Sequence, residues 1–209
     1  KIETLSGLEA NFLPLIPSFQ TKKVKPRLIE RKGYKFLFVG RLEKVKGPDI
    51  LLKACKIVKS KTSDFVVNVL GDGTLAKPLK DMTQAYCLED NIKFFGNASA
   101  NEVASFMLSS DFLIIPSRNE SFPIVIIEAA RARLPIIASN VGDCKRIIQN
   151  YKIGRVVEPE NIKQLADVMI EVIKHRTNEK REDRFSELTT DFNKEKAVHT
   201  LLSSINQLI

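Results

Sequence analysis

From residue 35 onward, short runs that are largely apolar on both faces alternate with longer runs that are apolar along one side only, and this alternation decides the fold class. "KFLFVG", "FVVNVLGDG", "NIKFFGN", "DFLIIPS", "LPIIAS" and "GRVVEP" read as strands. A strand with no polar face has to be covered on both sides, which is the condition of a parallel sheet with crossover helices. The amphipathic runs between them predict helices. One is opened by Gly47, Pro48 and Asp49, and others cover residues 75 to 86, "ANEVASFMLSS", Pro123 to Arg133, 143 to 149, 160 to 175 and 193 to 208. The expected architecture is α/β, a doubly wound, Rossmann-like parallel sheet of about six strands. Ligands of such sheets bind beyond the carboxyl ends of the strands, so function is to be sought in the loops that follow them.

Residues 1 to 34 break this pattern. Pro14, Pro17 and Pro26, with "TKKVKPRLIERK", read as an extended connector holding one short strand near Leu13 to Ile16. The expected division is a linker and domain remnant over 1–32, then a binding domain with C-terminal helices over 33–209. The first residue is a lysine, which fits a piece of a longer protein. At 209 residues and 44% hydrophobic content the chain can bury one sizeable core. No apolar run approaches the roughly 18 residues of a spanning helix, and the first residues lack signal-peptide anatomy, so a cytoplasmic setting is expected.

Cys55, Cys87 and Cys144 have neither metal nor redox spacing and read as free thiols. His175 and His199 stand far apart in sequence, and no metal site is expected. The net charge of +8 is uneven: residues 1 to 61 carry 15 Lys or Arg against 5 Asp or Glu. A phosphate-bearing ligand, an anionic membrane face or nucleic acid would each suit that excess. Aromatic content of 7% and the absence of Trp argue against base stacking as the mode of recognition. Part of the excess is a solvated helix face, since Lys53, Lys56 and Lys59 fall opposite Ile50, Leu51, Ala54 and Ile57.

Loops after three strands point to one kind of ligand. "GRLEKVKG" brings Gly40, Arg41 and Lys46 to the mouth of the crevice, two cations for a diphosphate or two ordinary surface charges. In "SRNESFPIVIIEAARARLPII", Pro123 at the first helical position leaves the amides of Ile124, Val125 and their neighbours without intrahelical partners, at the positive end of the helix dipole. Glu120 stands just before that turn, and Glu128 lies inside the helix on the face of Ile124. Carboxylates beside a phosphate site make electrostatic sense when they take hydroxyls, as acidic residues do for ribose in other doubly wound folds. The plainer alternative is that Glu120 caps the helix, worth about 0.3 to 1 kcal/mol, and that Glu128 is a surface residue. In "VLGDG", Gly71 and Gly73 permit close backbone approach, to a ligand or within a tight turn.

Taken together, "FLFVGRLEKVKGPDILLKA", "VLGDG", "IKFFGNASANEV" and "DFLIIPSRNESFPIVIIEA" resemble the retaining glycosyltransferases of family 4, also called group 1, which have the two-domain GT-B fold. The similarity runs in order from about residue 33 to 175 and covers the C-terminal, nucleotide-sugar-binding half; the N-terminal acceptor domain would precede it. The resemblance implies that Arg41 and Lys46 hold the donor diphosphate, doing the charge neutralisation that a metal does elsewhere, so that no metal cofactor is needed. It implies that Glu128 binds the ribose hydroxyls and that Glu120 lies against the donor sugar in a catalytic or orienting role. The amides after Phe122 would form the phosphate-binding helix start, and Asn97 with Ala98 would pack the base. Three departures stand out: Pro123 for the glycine of "EGFG" or "ESFG", Arg133 for a glycine before "LPII", and Asp143 for the second glycine of a "GG" loop.

The function so implied is transfer of a sugar from a UDP-sugar, or failing that a GDP-sugar, to an acceptor hydroxyl with retention. The setting is bacterial surface polysaccharide (O-antigen or capsule) synthesis on a lipid-linked acceptor saccharide, with peripheral attachment to the inner membrane face. This half alone should bind donor and turn over little. Two other readings stay open. One is a noncatalytic nucleotide or nucleic-acid binding module, with affinity steeply salt-dependent and indifferent to Glu128; the other is a nucleotide-sugar epimerase of similar fold.

Overall fold

A computed structural model of the chain describes residues 24–26, 33–120, 123–176 and 182–191. Six strands, β1 (Tyr34–Val39), β2 (Phe65–Leu70), β3 (Ile92–Gly96), β4 (Phe112–Ile115), β5 (Ile136–Ser139) and β6 (Gly154–Val157), form one sheet in the order β3-β2-β1-β4-β5-β6. Every pairing is parallel. The helices are α1 (Pro48–Lys59), α2 (Ala76–Ala85), α3 (Ala100–Ser109), α4 (Ile124–Arg131), α5 (Cys144–Tyr151), α6 (Ile162–His175) and α7 (Glu182–Asp191).

Strands that are apolar on both faces have the cause inferred from the sequence. Alternate residues of one strand enter two separate cores: Phe36 and Phe38 pack with α1 and α6 residues on one face, while Leu37 between them packs with α3 and α4 residues on the other. β2, β4 and β5 are buried along their whole length. Chain order and sheet order diverge at β1, whose neighbours are β2 and β4. There the chain leaves β1 toward one face and β4 toward the other, so a crevice opens between the two departing loops.

Those two loops cross in contact. Gly47, at φ +67, caps α1, and a Cβ there would lie 2.0 Å from the Pro116 carbonyl oxygen after β4. Only glycine fits a left-handed turn pressed against another backbone. Gly71, at φ +134, meets the same kind of constraint, since its Cβ would fall 1.9 Å from the Gly40 carbonyl oxygen. "VLGDG" therefore owes its first glycine to packing on the β1 loop, with Leu42 N–H donating to the Asp72 carbonyl at 2.9 Å, and not to a ligand.

α3 opens on a full capping box, Ser99 with Glu102, and α6 on the Asn161 side chain, which accepts from the Gln164 amide at 3.0 Å. The basic loop after β1 contains a single 3-10 turn, Lys44–Lys46. α7 falls where no helix was expected, and the proposed strand near residues 13–16 and helix over 193–208 lie outside the described residues. Among the described residues, no helix is long and apolar enough to cross a membrane.

Candidate functional site

A cavity of about 320 Å³ occupies the crevice at the ends of β1 and β4, within the size range of small-ligand sites. Its floor is apolar, from Phe38, Ile114 and Ile115. Its walls bring together Gly40 and Lys46 from the loop after β1, Ser117 and Glu120 from the loop after β4, and Pro123, Ile124, Val125 and Glu128 from the start of α4. A hollow of about 430 Å³ at the far end of α4, beside Arg131, Arg133 and Phe185, is larger but lies away from the strand ends.

Pro123 sits one position earlier than its spacing suggested. With φ −80 and ψ 99 it is the extended N-cap residue, and α4 begins at Ile124. The difference matters because proline's missing N–H then falls outside the helix, leaving the amides of Ile124 and Val125 as its first donors. Ile126 N–H turns back to the Pro123 carbonyl at 3.0 Å, and among the described residues no side chain caps the helix. The tip of α4 thus presents unpaired amides and its positive dipole end on the cavity wall.

Glu120 is not a helix cap. One of its carboxylate oxygens, Oε1, accepts from Lys46 Nζ at 2.7 Å and from Ser117 Oγ at 2.9 Å. The Glu120 side chain is 9% exposed and that of Lys46 28%. Cys144 lies buried beneath this pair at the start of α5, where burial foremost and then the charge of Glu120 push its thiol up to about 12. It is a protonated packing residue there, with no nucleophilic character at neutral pH.

Glu128 is half-buried, and burial raises its carboxyl above the ordinary range against the opposing pull of Arg131. A partly desolvated acid facing a cavity, short of hydrogen-bond donors, is suited to accept from hydroxyl groups of a ligand.

Other residues singled out in the sequence stand apart from the cavity. Arg41 is exposed beside Gly40, where its charge bears on Glu43, so it belongs to the rim. Asn97 and Ala98 follow β3 at the sheet edge, two strands from β1, and are not among the cavity-lining residues. Phe122 lies outside the described residues. Arg133 takes a left-handed conformation, φ 53, in the turn after α4, and Asp143 pairs with Arg146 at 2.9 Å.

The sequence reading passed over Ser117 and Arg118. The Arg118 guanidinium grips both carboxylate oxygens of Asp49, at 2.7 and 2.8 Å, and reaches Glu160 at 2.6 Å. Burial works to raise the Asp49 carboxyl, but hydrogen bonding and charge from Arg118, with Lys53, hold it below the usual range. No local signal marks this pair, because its partners lie 69 residues apart. Among the described residues, no group of three or more His, Cys, Asp or Glu side chains is placed to hold a metal.

Comparison with known proteins adds a second line. Residues 19–192 match the family model described as glycosyl transferases group 1. The chain is 34% identical over 171 residues to an uncharacterized glycosyltransferase of Methanocaldococcus jannaschii, covering 81% of this chain and 46% of that protein. It is 30% identical over 157 residues to a D-inositol 3-phosphate glycosyltransferase of Arthrobacter sp. (strain FB24), covering 73% and 37%. Its fold superposes with a TM-score of 0.71 on the C-terminal domain of a glycosyl transferase group 1 family protein, LpcC, from Francisella tularensis, at 25% identity and covering 85% and 100% of the two chains. With a TM-score of 0.75 it also superposes on Anabaena HepE in complex with UDP and glucose, at 19% identity, covering 84% and 49%. The chain spans less than half the length of these curated relatives.

Proposed function

The chain belongs to the group 1 glycosyl transferases, and on that premise we propose that its cavity binds a nucleotide-diphosphate sugar and that the whole protein moves the sugar to an acceptor hydroxyl with retention. Its fold is that of the C-terminal half of a GT-B glycosyltransferase. One observation carries the reading: a lysine, the open amides of a helix tip and two carboxylates line a single cavity at the switch point of the sheet.

In this reading Lys46 and the amides of Ile124 and Val125 hold the diphosphate, with Gly40 and Pro123 shaping the wall and Arg41 reaching in from the rim as a second cation. Glu128 accepts from the ribose hydroxyls, and Glu120 orients the donor sugar. The base lies toward β3, the side of Asn97 and Ala98. Transfer breaks the bond between the anomeric carbon and the diphosphate oxygen and forms one to the acceptor oxygen on the same face. The acceptor's proton departs with the diphosphate. Lys46 and the dipole of α4 stabilise that leaving charge without a metal. UDP as carrier draws support from UDP-bound neighbours of the same fold. A lipid-linked acceptor saccharide at the cytoplasmic membrane face, in surface polysaccharide synthesis, suits the basic residues concentrated in the first 61 positions. The acceptor-binding half of the protein would complete the cleft.

Titration with paired ligands tests the assignment. Glu128→Gln is expected to weaken UDP binding about tenfold, the worth of one charge-assisted hydrogen bond, and to leave inorganic pyrophosphate unaffected. Equal losses for both ligands would remove Glu128 from the ribose. The same substitution has a stability signature. Because folding raises the carboxyl of Glu128, its contribution to stability is present below the unfolded value and lost as pH rises through the folded one. The melting temperature of ligand-free Glu128→Gln at pH 7 is therefore expected to equal or exceed that of the parent.

A further inference from the structure

We propose that Arg118, which does not line the cavity, is a positioning residue that ties the loop bearing Lys46 to the loop bearing Glu120 and so sets the gap a diphosphate fills. The inference rests on the reading of the site just given. Besides its fork on Asp49, Arg118 donates through Nη1 to the Lys44 carbonyl at 2.6 Å, and its backbone N–H donates to the Val45 carbonyl at 2.8 Å. Through Nε it reaches Glu160 in the loop between β6 and α6 at 2.6 Å. Its contacts flank Lys46 on both sides, at Lys44 and Val45 in the first loop and at Asp49 in the first turn of α1, while Glu120 follows it by two residues.

The crossing of the two loops has a second fixed point where Gly47 meets the Pro116 carbonyl. Lys46 therefore stands between two anchors, and its 2.7 Å approach to Glu120 follows from both. The Arg118 side chain is only 19% exposed, and its planar fork serves a carboxylate edge and a carbonyl together. A lysine ammonium can supply neither the edge-on pair nor the reach to Glu160.

A double-mutant cycle read by calorimetric titration of the full chain with UDP, well below the melting temperature of each variant, tests the proposal. Arg118→Met is expected to raise the Kd about tenfold in the parent and less than twofold in a Lys46→Met background, because it acts through that lysine. Arg118→Lys is expected to recover melting temperature more fully than affinity. Should Arg118→Met fail to fold, Asp49→Asn enters the same cycle, with about a threefold effect expected that again vanishes without Lys46. Equal fold-changes in both backgrounds, or a lowered melting temperature with unchanged Kd, would leave Arg118 a purely structural clamp and overturn the inference. An unchanged Kd in Lys46→Met alone would overturn the reading of the site, and the inference with it.

Discussion

Glu120→Gln is expected to tighten the binding of UDP by about threefold to tenfold while cutting sugar transfer by about a hundredfold or more. The two changes have one origin. In the ligand-free protein the Glu120 carboxylate holds the Lys46 ammonium at 2.7 Å, so a phosphate entering the cavity competes with it for the same cation and is repelled by its charge. Glutamine keeps the length of the side chain, and its carbonyl still accepts from Ser117, but the competing charge is gone. Removing about 1 kcal/mol of that opposition corresponds to roughly fivefold in Kd. Transfer responds oppositely because the acid at this position is assigned to the donor sugar, and loss of one positioned group from a reacting centre costs about two to three orders of magnitude. The binding half of the prediction is measured on this chain, and the transfer half on protein that includes the acceptor-binding half.

Lys46→Met is expected to weaken UDP binding about tenfold to a hundredfold, from the 1.5 to 3 kcal/mol typical of a charge-assisted hydrogen bond to phosphate. The contrast in sign is informative. If Lys46 and Glu120 formed an ion pair whose only task was to join two loops, neutralising either partner would lower stability and leave the folded protein's affinity alone. A donor site predicts that neutralising the base weakens the ligand and neutralising the acid strengthens it. Titration of the parent and both variants at one salt concentration distinguishes these, and matching affinities across all three would remove the diphosphate from this cavity. Salt has to be held constant, because the attraction of partly exposed charges for an anion falls with ionic strength.

Much of the fold was legible because its causes are local. A strand such as β2, buried at every position, announces a sheet covered on both faces, and Pro48 at the head of α1 marks a helix start within a few residues. The cavity was legible to the extent that it is built from contiguous stretches: the tip of α4 and Glu128 lie in one run, and Lys46 in another. What the sequence leaves hidden is the pairing between runs. Lys46 meets Glu120 across 74 residues and Arg118 meets Asp49 across 69, and neither contact leaves a trace in local periodicity. For the same reason Gly71 read equally as a glycine facing a ligand or making a tight turn, when the backbone that presses on it belongs to Gly40, a strand away. The register of α4 against Pro123 also turned on tertiary context, because proline suits the N-cap and the first helical position alike.

The most direct test of the central claim is a crystal structure of this chain soaked with UDP. The account predicts that Lys46 Nζ turns from Glu120 to the diphosphate, that the Ile124 and Val125 amides donate to the same group, and that Glu128 accepts from the ribose. A diphosphate bound elsewhere on the molecule, or one that leaves the bond between Lys46 and Glu120 intact, would contradict it.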